Sequence, residues 1–325
     1  MPQTILITGG CGFFGTWIIR RLLDDGDRPV VMDLTSNTKR WSILLAPEEI
    51  ARVPFHAVAI DDTAAMLAEV ERIKPDAIIH LAGLQVPTCR DNPLAGAKVN
   101  VLGTLNVFEA AKARKAATGS SPRIVYASSA AVFGPDAEYG EQQVGDHSIP
   151  RPTTHYGAFK LCTEHAAKAY WTANQVASVG LRPLTVYGPG RDTGMTSFPT
   201  RAIAAAIHGK PFDIPFTGPT AYIHMREVAD MFLACARKPM TDGLVYTVGG
   251  DVLDTAGFIR ALAAQLPGAE KLITASGGNL PIAANLDDAA LRKAYPGLLR
   301  IPLAQGIAET ITVFRKMHAA GKLEI

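Results

Sequence analysis

The chain has 325 residues, 48% of them hydrophobic, and a formal net charge of +2 at neutral pH. That length builds a large core with two lobes around one site, and the near-balanced charge, with no basic run carrying interleaved aromatics, argues against nucleic acid or an acidic surface as partner. No apolar stretch reaches spanning length, the first residues enter a strand rather than a signal peptide, and four scattered cysteines (Cys11, Cys89, Cys162, Cys235) lack metal-ligand spacing, so a soluble cytoplasmic protein with reduced thiols, no metal and no membrane partner is expected.

Thr4-Ile5-Leu6-Ile7-Thr8 is an apolar, β-prone run of the kind buried on both faces of a sheet. Gly9, Gly12 and Gly15 follow at intervals of three, apolar residues continue at helical spacing from Trp17 to Leu23, and Gly26 suits a helix stop. Strand, glycine turn and helix in that order make a pyrophosphate site: glycine lets the backbone turn and approach the phosphates, and a helix N-terminus offers free N–H groups. A second strand over 29–32 ends at Asp33. A carboxylate there accepts hydrogen bonds from ribose hydroxyls and repels the 2′-phosphate of NADP, which selects NAD. Lys39 and Arg40 stand nearby and read as solvated loop charge, with a 2′-phosphate as the other use.

Further strands are expected at 54–58, 77–81, 123–127, 178–182 and 244–248, with helices over 63–73 and 95–117 between them. This alternation predicts an α/β fold with a doubly wound parallel sheet. The nucleotide-binding domain is placed at 1–180, to which the strand near 244–248 returns. Gly and Pro clusters at 188–194, 209–219 and 276–281 put a smaller substrate-binding lobe mainly in 181–325.

Tyr156 and Lys160 are four apart and share a helix face. A tyrosine near pKa 10 is a poor base at neutral pH. A neighbouring ammonium favours the phenolate, and the same lysine can hydrogen-bond a ribose. Ser128 and Ser129 follow the 123–127 strand, at the edge where parallel sheets place ligands. A serine hydroxyl there can orient a substrate alcohol and share its proton with Tyr156. The bland alternative, an ordinary surface helix pair, loses ground because serines and dinucleotide turn lie upstream in the right order.

With these motifs, the chain resembles the extended short-chain dehydrogenase/reductases, the NAD-dependent epimerase/dehydratase family, over nearly its whole length. The resemblance also rests on His80-Leu81-Ala82-Gly83, Asn92-Pro93, Asn100-Val101-Leu102-Gly103-Thr104, Ser128-Ser129-Ala130-Ala131-Val132-Phe133-Gly134, Leu181-Arg182-Pro183, Val186-Tyr187-Gly188-Pro189-Gly190, Tyr222-Ile223-His224 and Tyr246-Thr247-Val248-Gly249-Gly250. It implies a Rossmann-type fold and a catalytic set of Ser129, Tyr156 and Lys160. Gly9, Gly12, Phe13, Phe14 and Gly15 would then lie at the pyrophosphate and Asp33 at the adenosine ribose. Ile60 would lie at the adenine, Leu81, Ala82 and Gly83 over the cofactor, with Asn100 supporting it. His80 reads as structural. In relatives the Tyr156 helix pairs with the preceding long helix across a two-fold axis, so a homodimer is expected.

Three departures shape the function. Dehydratases carry an acidic pair after the catalytic Ser or Thr; here stand Ala130 and Ala131, which argues against dehydration. Nucleotide-sugar epimerases commonly show Arg-Asp before Tyr-Ile-His, the arginine binding a diphosphate; here stand Thr220 and Ala221, a loss of a strong charge-assisted contact for which Arg191 or Arg201 can substitute. Ala59 replaces an aspartate that often receives the adenine amine, with Asp61 or Asp62 able to compensate. Substrate contacts are expected from Gln85, Ser129, Thr185, Arg191, Thr196 and Ser197. An NAD-dependent dehydrogenase of a small-molecule sugar, sugar acid or polyol is the first expectation. A UDP-sugar 4-epimerase with retained NAD is the alternative, and a catalytically silent NAD-binding scaffold the third.

Overall fold

The structure is a computed structural model that describes residues 2–140 and 142–324. The first strands are β1 (Thr4–Thr8), β2 (Arg28–Asp33), β3 (Phe55–Ala57), β4 (Ala77–His80), β5 (Arg123–Ala127) and β6 (Ser178–Arg182). They are followed by β7 (Thr185–Tyr187), β8 (Phe212–Ile214), β9 (Thr220–His224), β10 (Gly243–Thr247), β11 (Asp251–Leu253) and β12 (Ile273–Ala275). Seven of them form one sheet in the order β10-β6-β5-β4-β1-β2-β3, and every pair in it is parallel. Strands such as Ile5-Leu6-Ile7 and Ile78-Ile79 are inaccessible on both faces because helices cover both. The order reverses at β1 and β4, and at such a switch point the carboxyl ends of the strands open a crevice.

The expected helix over 95–117 is not continuous. Pro93–Ala97 is a short helix capped by Asn92, whose side chain accepts from the Ala95 N–H. Lys98–Leu102 is a π-turn, and the regular helix begins only at Gly103 and ends at Thr118. The wide turn carries Asn100 fully inside the protein.

A second core forms from Tyr187, Phe198, Ile203, Tyr222, Phe258 and Phe314. It is backed by two small sheets, β11-β9-β7 and β12-β8. The chain passes between the two regions more than once. Helix Met225–Arg237, although late in sequence, buries its apolar face in the core of the main sheet. The regions are pinned by Trp17, whose indole N–H donates to the Pro189 carbonyl at 3.0 Å. Among the described residues no helix is long and apolar enough to cross a membrane.

Candidate active site

The crevice at the carboxyl ends of the strands is a cleft of about 540 Å³. Gly9, Gly12, Phe13 and Phe14 line one wall, and Leu81, Ala82 and Gly83 the next. Gly9 has φ +69°, and a Cβ there would lie 2.6 Å from the Ala82 nitrogen, so only glycine lets the turn close against the loop after β4. Helix Phe13–Asp24 begins at Gly12 without a side-chain cap, leaving its first N–H groups to a ligand at the cleft. Gly15 does not line the cleft: a Cβ there would strike the Gly10 carbonyl. Its place is to seat the helix on the turn, a correction to its expected cofactor contact.

Asp33 is fixed at the end of β2. Its Oδ2 accepts from the Cys11 N–H at 3.0 Å and its Oδ1 from the Leu34 N–H at 2.8 Å. A carboxylate tied to the glycine turn suits paired ribose hydroxyls. Both nearby cations already have carboxylates: Lys39 meets Glu324 at 2.6 Å and Arg40 meets Asp192 at 2.7 Å. Ile60 lines the cleft, its carbonyl accepting from Asn106 Nδ2 at 2.9 Å. Of the two compensating carboxylates, Asp61 faces the cleft, whereas Asp62 caps helix Thr63–Ile73. A neutral bent turn, free helix N–H groups and a ribose-spaced carboxylate together fit a dinucleotide.

Asn100 does not reach the cleft. Its side chain accepts from the Leu84 N–H and donates to the Leu84 carbonyl, both at 3.0 Å, so it holds the loop that forms the wall. His80 is buried with both ring nitrogens engaged, Nδ1 with Thr8 at 2.6 Å and Nε2 with Thr104 at 2.9 Å. Among the described residues no three His, Cys, Asp or Glu side chains are grouped to hold a metal.

Ser129, Tyr156 and Lys160 converge on the cleft. Ser129 lies two residues beyond the end of β5, its Oγ accepting from the Ala131 N–H at 3.1 Å. Thr154 caps helix His155–Asn174 through the Gly157 N–H, which presents Tyr156 and Lys160 one turn apart. Lys160 Nζ donates to the Ala127 carbonyl at 2.7 Å and lies 5.5 Å from the Tyr156 ring centroid. Burial lowers the Lys160 pKa to about 8, with Cys89 and Glu164 acting to raise it. Burial raises that of Tyr156, and the Ser129 hydroxyl and Arg191 guanidinium draw it back. Ser129 and Arg191 thus stand with Lys160, whose Nζ is 5.5 Å from the ring, around the phenol.

The substrate residues divide. Gln85, Arg191 and Thr196 line the cleft. Arg191 lies 5.7 Å from the Phe13 ring and its Nε has no hydrogen-bond partner among the described residues. Ser197 opens instead on an adjoining groove of about 410 Å³, which shares Val86 and Met195 with the cleft. Thr185 belongs to neither. It is fully buried, its hydroxyl 2.6 Å from that of Thr220 across the β7–β9 pair, a correction that removes it from the substrate wall. Cys11, Met195 and Ile282 are wall residues that were not anticipated. Ile282 stands in irregular chain with no local signal, whereas the position of Cys11 between two glycines of the turn was there to be read.

The family model described as "NAD dependent epimerase/dehydratase family" matches residues 5–249. The chain is 28% identical over 320 residues to the UDP-glucose 4-epimerase of Mycolicibacterium smegmatis, covering 95% of this chain and 98% of that protein. It is 30% identical over 219 residues to a probable UDP-glucuronate 4-epimerase of Rhizobium meliloti, covering 64% of this chain and 60% of that one. Among solved structures, the UDP-glucose 4-epimerase of Thermus thermophilus in complex with NAD superposes with a TM-score of 0.81 at 24% identity, over 96% of this chain and 99% of that one. A partial-consensus L-threonine 3-dehydrogenase gives 0.84 at 20% identity, over 96% and 99%.

Proposed function

The chain belongs to the NAD-dependent epimerase/dehydratase family, and from that premise we propose that it is a nucleotide-sugar 4-epimerase of the UDP-sugar type, with Ser129, Tyr156 and Lys160 as its catalytic set. The observation that carries the substrate class is the second groove. It continues the cleft beyond Met195 and is lined by Phe198, Phe212 and Phe216 with Arg90 and Arg201. Apolar rings and guanidinium groups suit a base and a diphosphate; a small polyol would leave them without a partner. The Arg201 guanidinium sits 5.1 Å over the Phe212 ring. It supplies the cation that Thr220 and Ala221, buried in β9, do not. The full-length similarity to a UDP-glucose 4-epimerase supports the same choice.

In this reading the glycine turn, Asp33 and the Leu81–Gly83 loop hold NAD. NAD bound there would supply the hydride acceptor for oxidation of the sugar carbinol and, once reduced, the hydride donor to the opposite face of the resulting ketone. Ser129 orients the hydroxyl beside Tyr156. Tyr156 takes the hydroxyl proton as general base and gives it back as general acid. Lys160, 5.5 Å from the phenol ring, would hydrogen-bond the cofactor ribose, and the cleft walls would hold the reactants in register. Arg191 faces the same centre and binds an oxygen-rich or anionic part of the substrate. Ala130 and Ala131 offer no acid–base pair for dehydration.

A dehydrogenase of a free sugar, sugar acid or polyol is the second reading, favoured by the neutral Thr220-Ala221 pair. A homodimer rests on the exposed side chains of Leu94 and Leu102, 81% and 39% accessible, and a cytoplasmic location on the cysteine content. Incubation with UDP-galactose, following both UDP-glucose and NADH absorbance, tests the choice. UDP-glucose formation with no net NADH supports the epimerase. Steady NADH formation on a free sugar acid, with UDP-sugars inert, replaces it with the dehydrogenase. No turnover of either class with NAD tightly bound leaves a scaffold.

A further inference from the structure

Lys160, Tyr156 and Ser129 rest on a buried group of side chains that the chemistry itself does not use. Two turns beyond Tyr156 on the same helix, and one beyond Lys160, stands Glu164, only 5% accessible. Both of its oxygens are taken by Arg182 at the end of β6, Nε to Oε1 at 2.7 Å and Nη2 to Oε2 at 2.6 Å. The Ser128 hydroxyl donates to Oε1 as well. The Arg182 guanidinium also lies 5.0 Å from the Phe133 ring. One carboxylate therefore joins the ends of two central strands to the catalytic helix.

We propose that Ser128, Glu164 and Arg182 form a brace that positions Ser129 against Tyr156, with Glu164 as its positioning residue. Ser128 is the peptide neighbour of Ser129 and follows Ala127, whose carbonyl accepts the ammonium of Lys160. A hydroxyl fixed on Ser128 fixes the direction in which the next residue leaves the strand. The brace therefore sets where the Ser129 hydroxyl lies relative to the phenol. A bidentate guanidinium–carboxylate pair supplies this better than a single hydrogen bond, because its planar fork fixes orientation as well as distance. A pair this deep is weak grounds for stability, since desolvation offsets its attraction. Its contact with Ser128 ties it to the site.

The inference rests on the reading of Ser129, Tyr156 and Lys160 as the reacting set, and its test does not need the substrate. The charged and titratable groups around the phenol are Arg191 from the loop after β7, Cys89 from helix Val86–Asp91, and Lys160 on its own helix. The NAD complex is titrated from neutral to alkaline pH by tyrosinate difference absorbance, wild type against Tyr156→Phe, which isolates Tyr156. Ser128→Ala leaves the Arg182–Glu164 pair intact and frees Ser129. Since the Ser129 hydroxyl draws the phenol pKa down, the Tyr156 midpoint should rise. Glu164→Gln should raise it too, and Ser128→Thr, which keeps the hydroxyl, should restore it. An unchanged midpoint in Ser128→Ala overturns the proposal, whether or not Tm falls. So does a rise that Ser128→Thr fails to reverse, which would assign the effect to packing. Failure of the underlying reading shows separately, as full epimerase or dehydrogenase activity in Tyr156→Phe.

Discussion

The nucleotide half and the substrate half reach the shared cleft through different kinds of structure. Gly9, Asp33, Leu81 and Ser129 stand at or just beyond the ends of parallel strands that are inaccessible on both faces. Arg191, Met195, Thr196 and Ile282 stand on irregular chain. Strand ends hold their positions through a whole sheet, so the cofactor wall is specified by residues that also build the core. Loops are free to change one contact at a time, which is where a family sharing one fold differs in substrate. Substitutions on the two sides should therefore fail in different ways: at the sheet edge in chemistry or cofactor binding, at the loops in substrate affinity.

The largest effect belongs to the sheet side. Tyr156→Phe keeps the ring and removes the proton acceptor, so kcat should fall about a thousandfold, within the usual range for a lost general base. NAD affinity should be unchanged, because the phenol contributes chemistry rather than the pyrophosphate site. Titrating NAD into wild type and variant by fluorescence, beside kcat on UDP-galactose, checks both halves of this statement.

Acid stability compares the halves through one buried histidine each. Burial lowers the pKa of His80, in the main sheet, and of His224, at the end of β9, from 6.5 to about 3. Both are neutral in the fold but charge in the unfolded chain below pH 6.5, so the unfolded state binds more protons. Stability should fall as pH drops from 6.5 toward 3, by about 1.4 kcal/mol per pH unit for each histidine. His80→Gln, with Thr8 and Thr104 still within reach, should lessen the slope. Denaturant unfolding between pH 7 and pH 4 measures it. An unaltered slope would mean that His80 is charged in the native protein.

Arg191→Ala is the loop-side counterpart. Among the described residues its Nε has no partner, and Asp192 beside it pairs with Arg40 instead. A charged hydrogen bond to substrate is worth about 1.5–3 kcal/mol, so KM should rise roughly 10- to 100-fold for a substrate carrying an anionic group near the reacting carbon. NAD affinity should stay at the wild-type value. Weaker NAD binding with unchanged KM would place this guanidinium on the cofactor's phosphates and move it across the cleft.

What could be read from the sequence follows the same division. The strand runs, glycine turn, Asp33 and the Tyr156–Lys160 spacing were legible because each is a local pattern with one structural outcome. Thr185 was not, because β7 is buried throughout and alternation carries no sign of which face a residue takes. Gly15 and Asn100 sit close to the cofactor wall in sequence yet act through packing and loop support, which only the tertiary contacts distinguish. The π-turn at Lys98–Leu102 interrupts a stretch whose composition is helical throughout, so no single residue announces it. Helix Met225–Arg237 crosses to the first half because its apolar face matches the core there, a long-range match invisible to a local pattern. The groove beyond Met195 is assembled from segments far apart in sequence, so no local pattern announces it.

The smallest of the effects tests the nucleotide half at its far end. In Asp33→Asn the amide oxygen can still accept the Cys11 N–H, but the amide nitrogen cannot accept the Leu34 N–H, and the charge that favours ribose hydroxyls is lost. NAD affinity should weaken about tenfold, the loss of one charge-assisted hydrogen bond. NADP affinity should rise relative to NAD, since the carboxylate no longer repels a 2′-phosphate. Arg40 limits that gain, because its guanidinium stays paired with Asp192 across the cleft mouth. Asp192→Asn in the same background releases Arg40 and should carry the preference further toward NADP. Binding isotherms for both nucleotides, measured on the single and double variants, separate the two contributions. If NADP binding does not improve in the double variant, nucleotide choice is set elsewhere on this wall, and the sheet edge specifies its ligand less completely than the loops do.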